Sequence, residues 1–139
     1  MDEKKIINLE DFFIDKNEAE GVWHEPVFDD KPCGLQFLLI GIHCDEAVKK
    51  QDEYDKKAEA VRKSDLSDEE KQAKLEDIDA ERVAVLTKDM RTTDGSALMM
   101  NGKPFVFSTE TVKELYKNCV LLKMDNVDFV LKASNFIKR

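Results

Sequence analysis

The chain has 139 residues, of which 42% are hydrophobic and 37% are charged, and its 22 basic and 30 acidic side chains give a formal charge of −8. This length and apolar content fit a single domain with a modest core and exclude a chain that is disordered throughout. Because net negative charge repels the phosphate backbone of DNA and RNA, the composition disfavours general nucleic-acid binding.

The N-terminal sequence and the cysteines both predict a cytoplasmic protein. The opening stretch, MDEKKIINLEDFF, is acidic and lacks the basic start and apolar core of a signal peptide. The longest mostly apolar run, residues 35–42, is far shorter than the ~20 residues that a membrane-spanning helix needs. The three cysteines are an odd number without CxxC spacing, which favours reduced thiols over a disulfide framework.

The charge is distributed unevenly along the chain. Residues 1–20 carry three basic and seven acidic side chains, and residues 45–82 carry nine and fourteen. Residues 103–139 are the reverse, with seven basic and four acidic side chains. Two interpretations stay open: solvated helices packed beside a mildly basic C-terminal unit, or self-association in which the acidic arm of one copy meets the basic end of another.

Residues 1–20 form an acidic N-terminal arm. The pattern of residues 21–44 predicts a β-hairpin. The first half, GVWHEPVF, alternates as a strand does, and Pro26 restricts it to a sheet edge or breaks it. The turn formers of residues 29–34 connect it to the apolar run 35–42. Because a lone hairpin is not stable in water, we expect it to pack on helices.

Residues 45–91 predict an antiparallel pair of helices. Asp45 is expected to cap a mostly polar first helix that ends near Lys63. A capping-box pattern that begins at Ser67 opens a second helix. Its apolar stripe continues to about Arg91, where we expect the helix to end.

The rest of the chain predicts a loop and two helices. The Asp-Gly and Asn-Gly turn signals of residues 92–107 indicate a loop, which can close a short hairpin with the Phe-Val-Phe segment at its end. In residues 108–139, Ser108 is expected to cap one helix, and a second, buried helix starts at Asp125 or Asn126 and continues almost to the C-terminus. The prediction is therefore an α+β, mainly α, fold in one domain.

No catalytic or metal-binding pattern is recognisable in the sequence. The five glycines form neither GxGxxG nor a P-loop. His43 and Cys44 are neighbours, and because neighbouring side chains on a strand face opposite sides, His43 is poorly placed to activate the thiol. Cys33, Cys44 and the two histidines match no zinc-site spacing, and the acidic residues at the tip of the helical pair lack calcium-loop spacing. We expect a protein that is not an enzyme and holds no cofactor or metal.

Three residues are open to a role either in the core or at an interface. Met99 and Met100 lie in the predicted loop, where flexible thioether side chains suit an adaptable contact surface but also fold back easily on a core. Trp23 is equally suited to filling the core and to anchoring a partner.

The order of features along the chain is itself a pattern. A Gly-Val-Trp strand opening at Gly21 precedes an apolar strand, a long polar helical pair, and a loop that contains Asp-Gly and then Asn-Gly-Lys-Pro before a helix. This order resembles the small tail assembly chaperones of long-tailed bacteriophages. Most of the likeness lies in residues 81–139, in the segments ERVAVLTKDMR, NGKPFVFSTETVKELYKN and VDFVLKASNFIKR.

The resemblance implies a chaperone that coats the tape-measure protein and helps recruit tail-tube subunits. It would act in the cytoplasm of the host bacterium and be absent from the mature virion. Such a chaperone covers apolar surface on its client through several moderate contacts rather than through one tight pocket. Self-association would allow several copies to line a long client. The residues expected to contact partners are Trp23, Met99, Met100, Phe105 and Phe107.

A second function stays open on the basis of charge. A small acidic phage-encoded inhibitor would insert the carboxylates of its helices into a basic nucleic-acid-binding groove of a host protein, and salt would weaken this binding steeply. Residues 45–82 interleave nine basic side chains with fourteen acidic ones, which imitates the uniform charge of phosphate poorly. The chaperone is therefore the preferred hypothesis, and an enzyme is the least favoured.

Overall fold

The computed structural model of the protein describes residues 5–13 and 18–137. It is 53% helical and 17% strand, which confirms the predicted α+β, mainly α, fold. A 3₁₀ turn lies near each end, at Leu9–Phe12 and Ala133–Phe136. The strands and long helices are, in chain order, β1 (Val22–His24), β2 (Val27–Phe28), β3 (Lys31–Pro32), β4 (Leu35–Leu39), α1 (Asp45–Arg62), α2 (Asp68–Ala84), β5 (Thr87–Thr92), β6 (Met99–Met100), β7 (Lys103–Pro104), α3 (Thr109–Asn118) and α4 (Val120–Leu131).

A three-stranded antiparallel sheet forms one side of the core. Strand β4 is central and pairs with β1 on one edge and β5 on the other. Because side chains alternate along a strand, Phe37 and Leu39 point to the core and are fully buried, whereas Leu38 between them is only partly buried. The pairing of β1 with β4 confirms the predicted hairpin and puts β1 at the sheet edge.

Pro26 divides the predicted first strand into β1 and β2. Proline has no N–H to donate, but the carbonyl of Pro26 accepts a hydrogen bond from the backbone N–H of Cys33 at 3.0 Å. Beyond this break, β2 and β3 pair as a small ribbon. Asp29 and Asp30 turn the chain between them with φ of 51° and 63°, the left-handed conformation that tight hairpin turns require.

Helices α1 and α2 form the predicted helical pair, and their inner ends agree with the sequence signals. Helix α1 ends at Arg62, and the Ser67 hydroxyl caps α2 by accepting a hydrogen bond from the Glu70 N–H at 3.2 Å. One detail of the prediction is wrong, because the N-cap position of α1 is Cys44 and Asp45 is already helical.

The predicted end of α2 at Arg91 is also wrong. The helix ends at Ala84, and residues 87–92 form strand β5 instead. The apolar stripe of α2 continues into the buried Leu86 and the half-buried Met90, so the helical period alone does not mark the end. Residues 87–92 form a strand because they pair with the free edge of β4, along Leu35–Leu39, where they satisfy its backbone hydrogen-bonding groups.

The loop predicted at residues 92–107 contains a short hairpin, although not the expected one. Met99–Met100 pairs with Lys103–Pro104 across the Asn101-Gly102 turn, where both residues have positive φ. The segment after β7 was the expected second strand. Instead it leads into α3, and only the N–H of Phe105 reaches back to Leu98, at 2.9 Å.

Helix α3 agrees with the prediction and α4 does not. Ser108 caps α3 through reciprocal hydrogen bonds with Thr111. Helix α4 begins at Val120 and ends at Leu131, so the predicted start at Asp125 or Asn126 and the predicted continuation almost to the C-terminus are both wrong. A single non-helical residue, Cys119, separates α3 from α4, and no glycine, proline or capping side chain marks the break.

Three polar side chains form a hydrogen-bonded network inside the core. Thr87 donates its hydroxyl proton to the carbonyl of Val83 at 3.3 Å, so the Tyr116 hydroxyl, 2.7 Å away, donates to Thr87. The Asn126 amide donates to the same Tyr116 oxygen at 2.8 Å. This network joins β5, α3 and α4, and burial raises the pKa of Tyr116 to about 12.

A buried glutamate anchors the N-terminal segment to the loop after β4. Glu18 is fully buried, and its Oε2 accepts a hydrogen bond from the backbone N–H of His43 at 2.8 Å. Its backbone carbonyl accepts a second bond from Gly41 at 3.1 Å. A Cβ at position 41 would lie 2.3 Å from the Glu18 Cγ, so any residue other than glycine forces the Glu18 side chain to move.

Stability at high pH tests the burial of Tyr116. The folded protein keeps the phenol proton to about pH 12, whereas an unfolded tyrosine releases it near pH 10, so stability is intact below pH 10 and falls between pH 10 and 12. In urea unfolding followed by circular dichroism, we expect the wild type to lose roughly 2–3 kcal/mol more than Tyr116→Phe over this interval. Equal losses in the two proteins would contradict the assignment.

Replacement of Gly41 tests the Glu18 anchor. Because Gly41→Ala forces a buried carboxylate side chain to move, we expect urea unfolding to show a loss of about 1–3 kcal/mol. The same substitution made in a Glu18→Ala background removes the steric conflict and is expected to have a smaller effect. An equal effect of Gly41→Ala in both backgrounds would show that the anchor is not the cause.

Candidate functional site: exposed apolar surfaces

The five predicted contact residues lie on two different features of the structure. Met99 and Met100 form β6, and Phe105 and Phe107 follow β7, so these four share one segment. Trp23 lies on the edge strand β1. Their exposure also differs, because Met99 and Phe107 are exposed whereas Phe105 packs against the core.

Trp23 is neither in the core nor freely exposed. It lies opposite Leu38, on the face of the sheet that points away from the core. The guanidinium carbon of Arg91 lies 3.9 Å from the centre of the Trp23 ring, a cation–π contact. The Nε–H of Arg91 donates to the Gln36 Oε1 at 2.6 Å, which orients the guanidinium group over the ring. The arginine therefore covers part of the surface that Trp23 was expected to present.

The segment from β6 to the start of α3 presents an apolar surface that its backbone holds in place. Met99 is 58% exposed, Val106 is 72% exposed and Phe107 is 37% exposed. The Thr111 hydroxyl donates to the carbonyl of Val106 at 2.7 Å. We call these three side chains, Met99, Val106 and Phe107, the loop surface. Val106 was not among the predicted contact residues, although its position between Phe105 and Phe107, which were, indicates the same role.

Helix α4 carries a second apolar surface, which the sequence analysis missed. Its inner side buries Leu122, Asn126 and Val130, so the expectation of a buried helix is correct for that side only. The opposite side is at least half exposed, and we call it the α4 face: Val120, Leu121, Met124 and Leu131. Apolar residues occur all round this helix, a pattern typical of helices covered on more than one side.

The N-terminal arm carries a third apolar surface. Five of its side chains are between 54% and 84% exposed, and we call them the arm surface: Ile6, Ile7, Leu9, Phe12 and Phe13. This surface was not predicted, since only the acidic charge of residues 1–20 stood out in the sequence; residues 1–4 and 14–17 of that stretch lie outside the described residues. Exposed apolar patches of this kind mark interaction sites on soluble proteins.

A histidine–aspartate pair joins the sheet to α4. The Nε2 of His24 on β1 lies 2.5 Å from the Oδ2 of Asp125. The His24 ring also stacks on Phe129, with 4.2 Å between the ring centres. These contacts fix the rotation of α4 and thereby determine which of its side chains face outward.

Several acidic side chains of the helical pair contact basic groups of the same chain. Within α1, Lys56 pairs with Asp52 at 3.1 Å. Helix α3 supplies Lys113, which lies 2.7 Å from Asp77 of α2 and holds the pKa of that carboxyl group below its ordinary value. Helix α4 supplies Lys123, which pairs with Asp79. Lysines of the two C-terminal helices thus contact aspartates of the acidic helical pair within one chain, in line with the first of the two charge interpretations.

The described residues show no arrangement suited to catalysis by metal or thiol. They contain no group of three or more His, Cys, Asp or Glu side chains that could hold a metal ion. Burial raises the pKa of the Cys33 and Cys44 thiols, which favours the unreactive protonated form. Within this same part of the chain, no helix has the length and apolar character needed to cross a membrane.

Comparisons with protein-family models, with curated proteins and with solved structures find no match. Function is therefore inferred from the exposed side chains and their surroundings.

The contribution of the His24–Asp125 pair is measurable against a matched control on the same helix. Asp125→Ala removes the partner of His24, and we expect urea unfolding to show a loss of about 1 kcal/mol, because the pair is partly shielded from solvent. Asp128→Ala makes the same chemical change at an exposed position of α4 and should alter stability by less than about 0.5 kcal/mol. Equal effects would mean that the pair does not hold α4.

Proposed function

We propose that the protein is a non-enzymatic tail assembly chaperone of a long-tailed bacteriophage. It binds the tape-measure protein and helps recruit tail-tube subunits in the host cytoplasm, and it is absent from the mature virion. The observation that supports this proposal best is the loop surface, because three apolar side chains stand exposed within the segment that carries most of the resemblance to such chaperones.

The loop surface has the properties of a reversible contact. Full burial of one large apolar side chain is worth about 1.5–3 kcal/mol, and the three side chains of the loop surface are partly buried already, so covering the remainder gives a moderate affinity at most. The hydrogen bonds of Val106 and Phe105 hold the backbone in place, so little ordering is needed when a client binds. Many copies along one long client would raise the total affinity while each contact stays exchangeable.

The helical pair has a different role in this proposal. Its exposed sides are almost entirely charged, with acidic and basic groups interleaved and paired. Such a surface resists association with other apolar surfaces and keeps the complex of chaperone and client in solution. The same pairing disfavours the acidic inhibitor, since Asp77, Asp79 and Asp55 already contact basic groups of their own chain.

Co-purification from infected cells tests this function. We expect the tagged protein to retain the tape-measure protein through a wash in moderate salt, identified by mass spectrometry, because apolar contacts are not screened by ions. Met99→Ser combined with Phe107→Ser removes most of the loop surface and should reduce the retained client about tenfold or more.

The matched control is Val48→Ser, which replaces an exposed apolar residue on α1 and should leave retention unchanged. Circular dichroism and urea unfolding of each variant exclude loss of the fold as the cause. The proposal fails if the tape-measure and tail-tube proteins are absent from the eluate. It also fails if the retained protein is a nucleic-acid enzyme that salt removes, which is the result expected of an acidic inhibitor.

A further inference from the structure

Strand β5 lies at an edge of the three-stranded sheet, and among the described residues no strand pairs with its outer side. We propose that β5 pairs antiparallel with β5 of a second copy of this chain, so that the sheets of the two copies join into one. The partner is a second copy because the charges along this edge are complementary to themselves. This inference does not depend on the identity of the client.

The backbone groups of Met90 and Thr92 point toward the free edge. The N–H of Thr93 donates to the carbonyl of Gly34 at 3.0 Å, and bonded residues alternate along an antiparallel ladder. Residues 89 and 91 therefore bond to β4, whereas residues 90 and 92 face away from it. Within the described part of the chain, no backbone group of another segment bonds to Met90 or Thr92. A strand edge of this kind is a template for pairing.

The two faces of β5 carry different side chains. Met90 lies opposite Phe37 and packs against the core. Asp89 and Arg91 lie on the other face, and both are exposed. The contact with Trp23 holds the Arg91 guanidinium group on this outer face, and the group carries N–H donors besides the one bound by Gln36.

The order of charges in β5 selects one register of self-pairing. With Met90 opposite Met90, Asp89 of each copy lies opposite Arg91 of the other, and the Cβ atoms of such pairs are about 5 Å apart. A shift that places Met90 opposite Thr92 brings the two Arg91 side chains together. The opposite shift, Met90 against Lys88, brings the two Asp89 side chains together. Like charges directly opposite each other are destabilising, so only the first register is favourable.

Asp89 closes the edge in the single chain. Its Oδ1 accepts a hydrogen bond from the Met90 N–H at 2.8 Å, the donor that pairing needs. When two copies pair, this N–H donates to the Met90 carbonyl of the second copy, and the Asp89 carboxylate turns to Arg91 of that copy. Because one hydrogen bond replaces another, we expect a weak dimer that forms at high protein concentration. The twofold axis at Met90 closes the assembly at two copies.

Sedimentation equilibrium of the full chain and of two charge variants tests the register. Asp89→Arg opposes two arginines to each other, and Arg91→Asp opposes two aspartates. We expect each variant alone to raise the dissociation constant of the dimer about tenfold or more. An equal mixture of the two variants opposes arginine to aspartate at both positions, so it should dimerise at least as well as the wild type.

The matched control is Asp128→Arg, which makes the same change of charge at an exposed position of α4 and should leave the dimer intact. Circular dichroism of each variant shows that the fold is kept. Hydrogen exchange followed by NMR tests the wild type without any substitution. We expect exchange of the Met90 amide to slow as protein concentration rises, whereas the Trp23 amide, which faces outward at the other edge of the sheet, should not change.

The outcomes separate the alternatives. Restored dimerisation in the mixture together with protection of the Met90 amide supports pairing through β5. A wild type that stays monomeric at the highest concentration would overturn it, and so would a mixture that does not recover. A dimer that Asp128→Arg disrupts and Asp89→Arg does not would overturn it in favour of an interface on the α4 face.

Discussion

The pairing of β4 on both edges is the constraint on which the remaining structure depends. Among the described strands, β1 pairs only with β4, and β5, which follows the apolar stripe of α2, pairs with the opposite edge of β4. The core-facing side of β4 then sets the position of the helices, because Phe37 and Leu39 are fully buried under them. Leu38 and its neighbours lie on the opposite side of β4 and form the half-buried outer face of the sheet.

Buried polar groups determine how the peripheral parts attach to this sheet. The bonds among Thr87, Tyr116 and Asn126 connect β5, α3 and α4 inside the core. Glu18 does the same for the N-terminal segment. The helix that carries Asn126 on its inner side carries exposed apolar side chains on its outer side.

Features with a local signal were predictable, and features that depend on distant partners were not. Ser67 and Ser108 indicate helix starts because their hydroxyls accept hydrogen bonds from free N–H groups of the first turn. Pro26 indicates a break in the strand because it has no N–H. Strand β5 has no such signal, since only pairing with β4 distinguishes it from a continued helix. The exposure of Met124 could not be predicted from the sequence either, because the sequence of a helix does not show whether a neighbouring element covers a given apolar residue.

We propose that exposed apolar side chains on a backbone held in place bind the apolar surface of a client, while the charged helical pair keeps the complex in solution. The most direct measurement is site-specific photo-crosslinking in phage-infected cells, with a photoreactive phenylalanine analogue in place of Phe107 or, as a comparison, in place of Glu59 on the polar side of α1. The account predicts a crosslink to the tape-measure protein from position 107 and little from position 59. Crosslinks to a host nucleic-acid enzyme from position 59, with none from position 107, would contradict it.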